Sequence, residues 1–238
     1  MILLLDIGNS RVKWALGEAD ALRGGGSFPH DGDPGEAIGN ADLPRAQAAW
    51  VCHVTGAEHE AKIAHAIQKT FSVAPKFART AAECDGLRVG YAEPHRLGVD
   101  RWLNMLALWS QHRGAFCVTS AGTALTFDAV DAQGQHQGGV IAPGLGAMQS
   151  ATLGSTRFAV NGISERYDDA LGRDSESCVR QGALHAAAGM IDRLGARYAG
   201  PRVLTGGDAE TLAPLLKDRW ELRPQLVLEG LLALAAAE

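Results

Sequence analysis

The chain has 238 residues, of which 46% are hydrophobic and 21% charged, and its formal net charge is −5. This composition is ordinary for a globular protein and supplies enough apolar residues for a substantial core. The acidic balance and the lack of basic blocks argue against a nucleic-acid-binding surface, so we expect no direct nucleic-acid partner.

Cysteine usage and hydropathy predict a cytoplasmic protein. The four cysteines are Cys52, Cys84, Cys117 and Cys178. They lack the spacing of a metal site, and Cys52 and Cys117 lie in apolar runs typical of small buried side chains, which fits a reducing compartment. Asp6 and Asn9 interrupt the apolar N-terminal run, unlike a secretory leader, and the apolar stretch near the C-terminus is too short to cross a bilayer. We therefore expect no membrane partner.

The first 40 residues predict a strand pair followed by a loop. Residues 1–16 form two strands joined at Gly8, the first continuously apolar and the second alternating. Such patterns are typical of a buried central strand beside a half-exposed one. Residues 23–40 are rich in Gly, Pro and Asp and predict a loop with turns.

The rest of the chain alternates between strands and helices. The predicted elements are a strand at 48–54, a helix at 58–71, an edge strand at 73–79, a helix at 98–112, a strand pair at 116–130, a helix within 138–153, a helix at 179–199, a buried strand at 201–207 and a final helix. Strands followed by helices, twice over, predict two related α/β lobes. We place the boundary near Gly114, giving lobes at 1–113 and 114–238.

One strand–turn–strand unit occurs twice in the chain. LLLDIGNSRVKWAL aligns with CVTSAGTALTFDAV so that Gly8 falls on Gly122, Asn9 on Thr123 and Asp6 on Ser120. An acid at the end of a buried strand must be solvated, paired or metal-bound. A glycine turn lets the N–H groups of Asn9 and Ser10 face a phosphate, and Lys13 adds charge. A plain hairpin is the alternative for either copy alone, but two such turns suit phosphoryl transfer.

Two further motifs have both a structural and a functional interpretation. Asp100 and Arg101 open the helix at 98–112, where an N-terminal acid is a common cap. The functional alternative makes Asp100 a base for a substrate hydroxyl and Arg101 a fork for a substrate carboxylate. LTGGDA, residues 204–209, follows an apolar strand and is either a simple βα turn or part of a nucleotide site.

Several polar and aromatic residues carry weaker signals. Trp102 and Trp109 lie two turns apart on one predicted helix and indicate core or interface packing. His136 shares no metal spacing with other histidines, so we interpret it as an ordinary structural or surface residue. Asp128 is assigned no role.

Taken together, the motifs resemble those of type III pantothenate kinases. The resemblance lies in DIGNSRVK, GVDR after an upstream Tyr91, AGTALTFD, GGVIAPG and GRDS, in the same order and spacing over most of the chain. That family belongs to the acetate/sugar kinase, heat-shock and actin superfamily. The resemblance implies an α/β fold of two duplicated ribonuclease-H-like lobes, with mixed sheets flanked by helices. It also implies ATP-dependent phosphorylation of pantothenate to 4′-phosphopantothenate, the first step towards coenzyme A.

The resemblance assigns roles residue by residue. The implied ATP-binding residues are Asp6, Ile7, Gly8, Asn9, Ser10, Arg11, Val12, Lys13, Gly122 and Thr123, with Asp6 near Mg²⁺. The implied pantothenate-binding residues are Tyr91, Gly98, Val99, Asp100, Arg101 and Ser175, with Asp100 as the catalytic proton acceptor. Ser175 stands where the family usually has threonine and keeps the hydroxyl.

Ser120 is the departure from the family pattern. The family commonly has an aspartate there that holds a monovalent cation such as K⁺ or NH₄⁺. Because a neutral hydroxyl is a poor substitute for a carboxylate, we expect cation activation to be weak, absent or differently built. The resemblance also implies a homodimer, for which the Trp-bearing helix and the C-terminal helix offer a candidate surface. The alternatives are a sugar kinase of the same superfamily and a non-catalytic accessory regulator of transcription.

Overall fold

The structure, a computed structural model, describes residues 1–155 and 170–238. It contains two compact units. The first comprises Met1–Arg113 together with Gln225–Glu238, and the second is Gly114–Pro224. This differs from the predicted lobe 114–238, because the last helix packs with the first unit. Sequence periodicity identifies such a helix but does not say which core receives it.

The described secondary structure alternates between strands and helices. The strands are β1 (Ile2–Ile7), β2 (Arg11–Glu18), β3 (Ala21–Pro29), β4 (Ala48–His53), β5 (Pro75–Phe77), β6 (Glu83–Cys84), β7 (Leu87–Arg88), β8 (Phe116–Ala121), β9 (Ala124–Val130), β10 (His136–Pro143), β11 (Arg202–Thr205) and β12 (Glu221–Leu222). The helices are α1 (Pro34–Asn40), α2 (Ala57–Phe71), α3 (Val99–His112), α4 (Leu145–Ser155), α5 (Ser175–Gly195), α6 (Ala209–Leu212) and α7 (Leu226–Ala237). Within the described ranges, none of the helices has both the length and the apolar character needed to cross a membrane.

The sheet of the first unit has the order β3-β2-β1-β4-β5. β1 pairs antiparallel with β2 and parallel with β4. Leu3, Leu4 and Leu5 are fully buried, as expected of a central strand. The register sets Asp6 opposite Lys13 on β2 and opposite Cys52 on β4. Asp6 therefore stands at the carboxyl end of the central strand, between a cation and a thiol.

The sheet of the second unit repeats this pattern with the order β10-β9-β8-β11-β12. β8 pairs antiparallel with β9 and parallel with β11. The register places Ser120 of β8 opposite Thr126 and Thr205. Both sheets thus consist of an antiparallel hairpin meander extended by parallel strands. This confirms the predicted mixed sheets and the duplication.

The predicted loop at residues 23–40 is wrong in two places. β3 continues through Gly24, Gly25 and Gly26 as the exposed edge strand paired with β2, and α1 begins at Pro34. Gly24 and Gly25 have φ values of +57° and +137°, which glycine adopts at little cost, and the register with β2 shifts nearby. The glycines thus form a bulged edge strand, because pairing with β2 overrides their low strand propensity.

Helices α3 and α7 form part of the core of the first unit. Trp102 is fully buried and Trp109 nearly so, with the Trp109 indole N–H donating to the Asp85 carbonyl at 2.9 Å. Gly230 of α7 lies so close to the Leu103 carbonyl that a β-carbon there would overlap it. These two helices pack against each other, so the faces that pack are core and not the predicted dimer surface.

Candidate active site

A tight turn links β1 to β2 and presents the DIGNSRVK segment. The Gly8 N–H donates to the Arg11 carbonyl at 3.0 Å, which closes the turn. Asn9 and Ser10 at its tip are exposed, whereas Ile7 and Val12 on either side are fully buried. Ile7 and Val12 therefore anchor the turn through their side chains and offer a ligand only their backbone groups.

Asp6 lies below this turn in an environment that disfavours its charge. Although part of the residue is accessible, the protein around its carboxyl is dense, and this desolvation raises the pKa of Asp6 to about 6. Lys13 opposes the shift, and the negative charge of Asp100 adds to it. Asp6 and Asp100 are thus close enough to interact electrostatically. The same two carboxylates and, above all, burial raise the pKa of the Cys52 thiol well above its usual value.

The first turn of α3 brings together three of the predicted pantothenate-binding residues. Arg101 is buried, and its guanidinium donates to the Tyr91 hydroxyl at 3.1 Å and lies 5.9 Å from the Tyr91 ring centre. The Thr80 hydroxyl donates to the Leu97 carbonyl at 2.9 Å, which fixes the chain just before α3. Asp100 is partly exposed in the first helical turn, where the helix dipole favours a negative charge. An acid and an oriented guanidinium therefore occupy consecutive positions in the first turn of α3.

Gly98 lets the chain pass close to the Asp100 carboxylate. A β-carbon at this position would lie 2.7 Å from Asp100 Oδ1, well inside van der Waals contact. A side chain at position 98 would force the Asp100 carboxylate to shift, whereas the φ of −54° is itself open to any residue.

Gly98→Ala is accordingly expected to lower kcat by about tenfold or more, because a small displacement of a reacting group has large kinetic effects. Steady-state kinetics with pantothenate and MgATP, the substrates that the resemblance implies, measure this. Gly39→Ala is the matched control, since a β-carbon there meets nothing within 4 Å. An equal loss in both variants would contradict the proposed crowding of Asp100.

The second unit carries its own glycine turn between β8 and β9. Gly122 N–H donates to the Ala124 carbonyl at 3.1 Å, and Thr123 at the tip is exposed. Gly144 packs so tightly on this turn that a β-carbon would overlap the Gly122 carbonyl. Packing against Gly144 therefore fixes one side of the turn, and Thr123 remains exposed.

The LTGGDA segment follows β11 and packs beside the same turn. Gly206, with φ of +98°, lies against Ala121, and the Asp208 N–H donates to the Ala121 carbonyl at 3.0 Å. Partial burial raises the pKa of the Asp208 carboxyl. The functional interpretation of LTGGDA gains support from this position next to Gly122, which sequence spacing alone could not predict.

Residues 2–197 match the sequence profile that describes type III pantothenate kinases. The chain belongs to the type III pantothenate kinase family. A member from Nitrosococcus oceani is 35% identical over 259 residues, covering 99% of this chain and 94% of that protein. Another, from Teredinibacter turnerae, is 35% identical over 248 residues and covers 100% of both chains.

Solved structures with low sequence identity share the fold. A Campylobacter jejuni protein described as a Baf family transcriptional activator has a TM-score of 0.59 at 20% identity, over 96% of this chain and 94% of that one. The activator of 2-hydroxyisocaproyl-CoA dehydratase from Clostridium difficile, with bound ADPNP, has a TM-score of 0.53 at 11% identity, over 99% and 93%. These similarities concern the fold alone and confirm the predicted fold class.

The resemblance implies that Asp6 lies near Mg²⁺, and the residues around Asp6 can be compared with that role. Across the described part of the chain, no group of three or more His, Cys, Asp or Glu side chains converges as a metal cage. Mg²⁺ in kinases is usually held by one or two carboxylates, with water and substrate phosphates completing its shell. Asp6, whose charge is unfavourable in the free protein, fits that limited role.

Ser120, where the family commonly has an acid, has neutral neighbours across the sheet. Its Cα partners on the adjacent strands are Thr126 and Thr205, both buried. The preceding residue, Thr119, is fully buried, and no described residue hydrogen-bonds its hydroxyl. A row of hydroxyls offers a cation oxygen atoms but no compensating charge.

Ser175 begins α5 in the second unit. Asp174 caps this helix by accepting from the Ser177 N–H at 2.7 Å, and the Ser177 hydroxyl completes a capping box. Ser175 is exposed and lines a cavity of about 910 Å³ with Pro143 and Cys178 among its walls. The contact with pantothenate that the resemblance implies for Ser175 stays a prediction.

Two features of the site escaped sequence reasoning. His30 contacts Gly8 of the β1–β2 turn from twenty-two residues away, and no local motif marks it. Asn104 is buried one turn after Asp100, with no described partner for its side-chain oxygen, and no feature of the sequence distinguishes it from an ordinary helix residue. By contrast, the structural interpretation of His136 agrees with its buried 3.0 Å contact with Asp128.

Proposed function

We propose that this protein transfers the γ-phosphoryl group of ATP to the primary hydroxyl of pantothenate, giving 4′-phosphopantothenate, the first step of coenzyme A biosynthesis. Membership of the type III pantothenate kinase family supports the reaction. The single structural observation that carries it is the first turn of α3, where Asp100 adjoins the Arg101–Tyr91 contact.

Asp100 acts as the proton acceptor in this proposal. The pantothenate hydroxyl attacks the γ-phosphorus, its proton passes to the Asp100 carboxylate, and ADP leaves with the electrons of the broken P–O bond. Arg101 binds the pantothenate carboxylate through its guanidinium, and its contact with Tyr91 restricts its orientation. Gly98 provides the space that the Asp100 carboxylate needs.

The two glycine turns bind ATP in this proposal. Backbone N–H groups at Asn9 and Ser10 face phosphate oxygens, and Lys13 adds positive charge. Gly122 and Thr123 contribute the corresponding turn of the second unit. Asp6 binds Mg²⁺, which when present neutralises charge on the phosphates.

Steady-state turnover with MgATP tests the proposal. We expect product from pantothenate and none from a panel of hexoses. Phosphorylation of a sugar in preference to pantothenate would identify a sugar kinase instead. No turnover of any substrate by folded protein would contradict catalysis and favour a regulatory role.

The same assay tests the cation site. With K⁺, NH₄⁺ or Na⁺ as the sole monovalent cation, we expect turnover to vary by less than about threefold, because Ser120 supplies no charge. Ser120→Asp is expected to make the rate depend on K⁺. Ser120→Asn, which adds bulk but no charge, is the matched control. A wild-type rate that requires K⁺ would overturn this prediction.

We also propose a cytoplasmic homodimer. All four cysteines are free thiols, which suits a reducing compartment. β10 lies at the edge of its sheet and exposes Val140 and Ile141, the latter 63% accessible. An apolar edge strand of this kind is usually covered by a partner. Sedimentation equilibrium of the wild type and of Ile141→Lys tests the assembly, and a wild-type monomer would contradict it.

A further inference from the structure

A single buried histidine holds the turn that follows Asp6. His30 comes directly after β3 and is only 7% exposed. Its backbone N–H donates to the Ser10 carbonyl at 3.1 Å, and its ring Nε2 lies 2.9 Å from the Gly8 carbonyl oxygen. Because a carbonyl only accepts, Nε2 carries the proton in this contact. One residue thereby fixes two of the three peptide carbonyls at the tip of the turn.

These two hydrogen bonds of His30 determine the direction in which the N–H groups of the turn point. Across a trans peptide bond, a carbonyl and the following N–H point in opposite directions. With the Gly8 carbonyl directed at His30, the Asn9 N–H is directed away from it. A carbonyl facing the phosphates would repel them, whereas an N–H would bind them. His30 thus excludes one unfavourable orientation of the flexible peptide after Gly8.

The position of His30 leaves its other ring nitrogen without a hydrogen bond. Nδ1 is buried and has no partner among the described residues. A buried nitrogen without a partner destabilises a fold, and such departures from complete satisfaction concentrate at functional positions. The contact with Gly8 is the hydrogen bond that the ring makes in the described structure.

We propose that His30 is a positioning residue that presets the Gly8–Ser10 turn for the phosphates of ATP. The inference rests on the proposed function of the Asp6–Lys13 segment as the ATP phosphate loop. His30 touches neither substrate; it acts through the Gly8 carbonyl. It therefore affects nucleotide binding and leaves pantothenate binding unchanged.

Three variants at position 30 test this inference. His30→Ala is expected to raise the Kd and the KM for MgATP by about 3- to 10-fold, the effect of one lost hydrogen bond. The KM for pantothenate is expected to stay within about twofold. The amide nitrogen of glutamine reaches about as far from the backbone as Nε2, whereas that of asparagine corresponds to Nδ1. His30→Gln should therefore bind MgATP like the wild type, and His30→Asn like His30→Ala.

His59→Ala is the matched control, because the His59 ring also contacts a backbone carbonyl, that of Thr55 at 2.8 Å. It should leave the KM for MgATP unchanged. If His30→Ala does not fold, the comparison of His30→Gln with His30→Asn at equal thermal stability gives the answer. Equal increases in both KM values, or equal behaviour of these two variants, would overturn the proposal.

Direct binding separates this inference from the proposed function. Titration calorimetry with a non-hydrolysable ATP analogue and Mg²⁺ needs no pantothenate turnover. If the wild type fails to phosphorylate pantothenate but its nucleotide affinity depends on His30 as described, the proposed function fails and the positioning role stands. If pantothenate is phosphorylated but the nucleotide affinity does not change in the His30 variants, the proposed function stands and the positioning role fails.

Discussion

Asp100→Asn is expected to lower kcat by about 10²–10⁴, the usual contribution of a positioned proton acceptor. Asparagine keeps the shape of the side chain but cannot take the proton of the pantothenate hydroxyl. The affinity for MgATP should remain within about twofold or improve, because the variant removes a negative charge near Asp6. Rapid-quench kinetics and nucleotide titration measure the two quantities separately.

Glu93→Gln is the control for Asp100→Asn, since Glu93 lies in the same stretch of chain but has a side chain that is 59% exposed. Its kcat should be that of the wild type. Unchanged turnover in Asp100→Asn would eliminate Asp100 as the base. A large increase in the Kd for MgATP with little change in kcat would instead place Asp100 in the nucleotide site.

Asp6→Asn is expected to stabilise the free protein while it lowers kcat by about 10²–10³, the effect of removing one electrostatic contact in the transition state. The gain in stability and the loss of kcat have the same physical cause. Burial opposes the charge that Mg²⁺ binding requires, so the folded protein without metal is destabilised by a carboxylate that the reaction needs.

The pH dependence of stability follows from the same shift. The pKa of Asp6 rises from 3.8 to about 6 on folding, so the folded state holds this proton more tightly than the unfolded state. Stability from this group is full below pH 4 and is lost as the pH rises through 6. At 1.36 kcal/mol per pKa unit, Asp6→Asn should increase the free energy of unfolding at pH 7.5 by about 1–3 kcal/mol.

Denaturant unfolding in EDTA, at pH values from 4.5 to 7.5, measures the effect of Asp6→Asn. The stabilisation relative to the wild type should grow with pH over this range. Asp20→Asn, at the exposed turn between β2 and β3, is the control and should show no such trend. A destabilised Asp6→Asn protein at pH 7.5 would show that hydrogen bonds or Lys13 outweigh the desolvation.

Local sequence signals predicted the elements that present the site. The apolar run before Asp6, the alternation after Gly8 and the helical spacing after Gly98 correspond to β1, β2 and α3. In each case the pattern is local and the physical cause is burial of one face or both. The duplication was visible for the same reason, since Gly122 repeats the position of Gly8 between two strands.

Tertiary effects account for what the sequence did not reveal. The three glycines of β3 have low strand propensity, and only pairing with β2 makes them a strand. The Arg101–Tyr91 contact and the hold of His30 on Gly8 join residues ten and twenty-two positions apart. No periodicity carries such information. The family resemblance implied a pantothenate-binding role for Tyr91, but the geometry of its contact with Arg101 came only from the structure.

The packing of α7 on α3 has a consequence for how the chain matures on the ribosome. The second unit is one continuous segment and can form as soon as it emerges. The first unit is split, so the helix that carries Asp100 lacks its packing partner until residues 226–237 have been synthesised. The core beneath the proposed proton acceptor can therefore be completed only after the second unit has been synthesised, although its central strand is made before that unit.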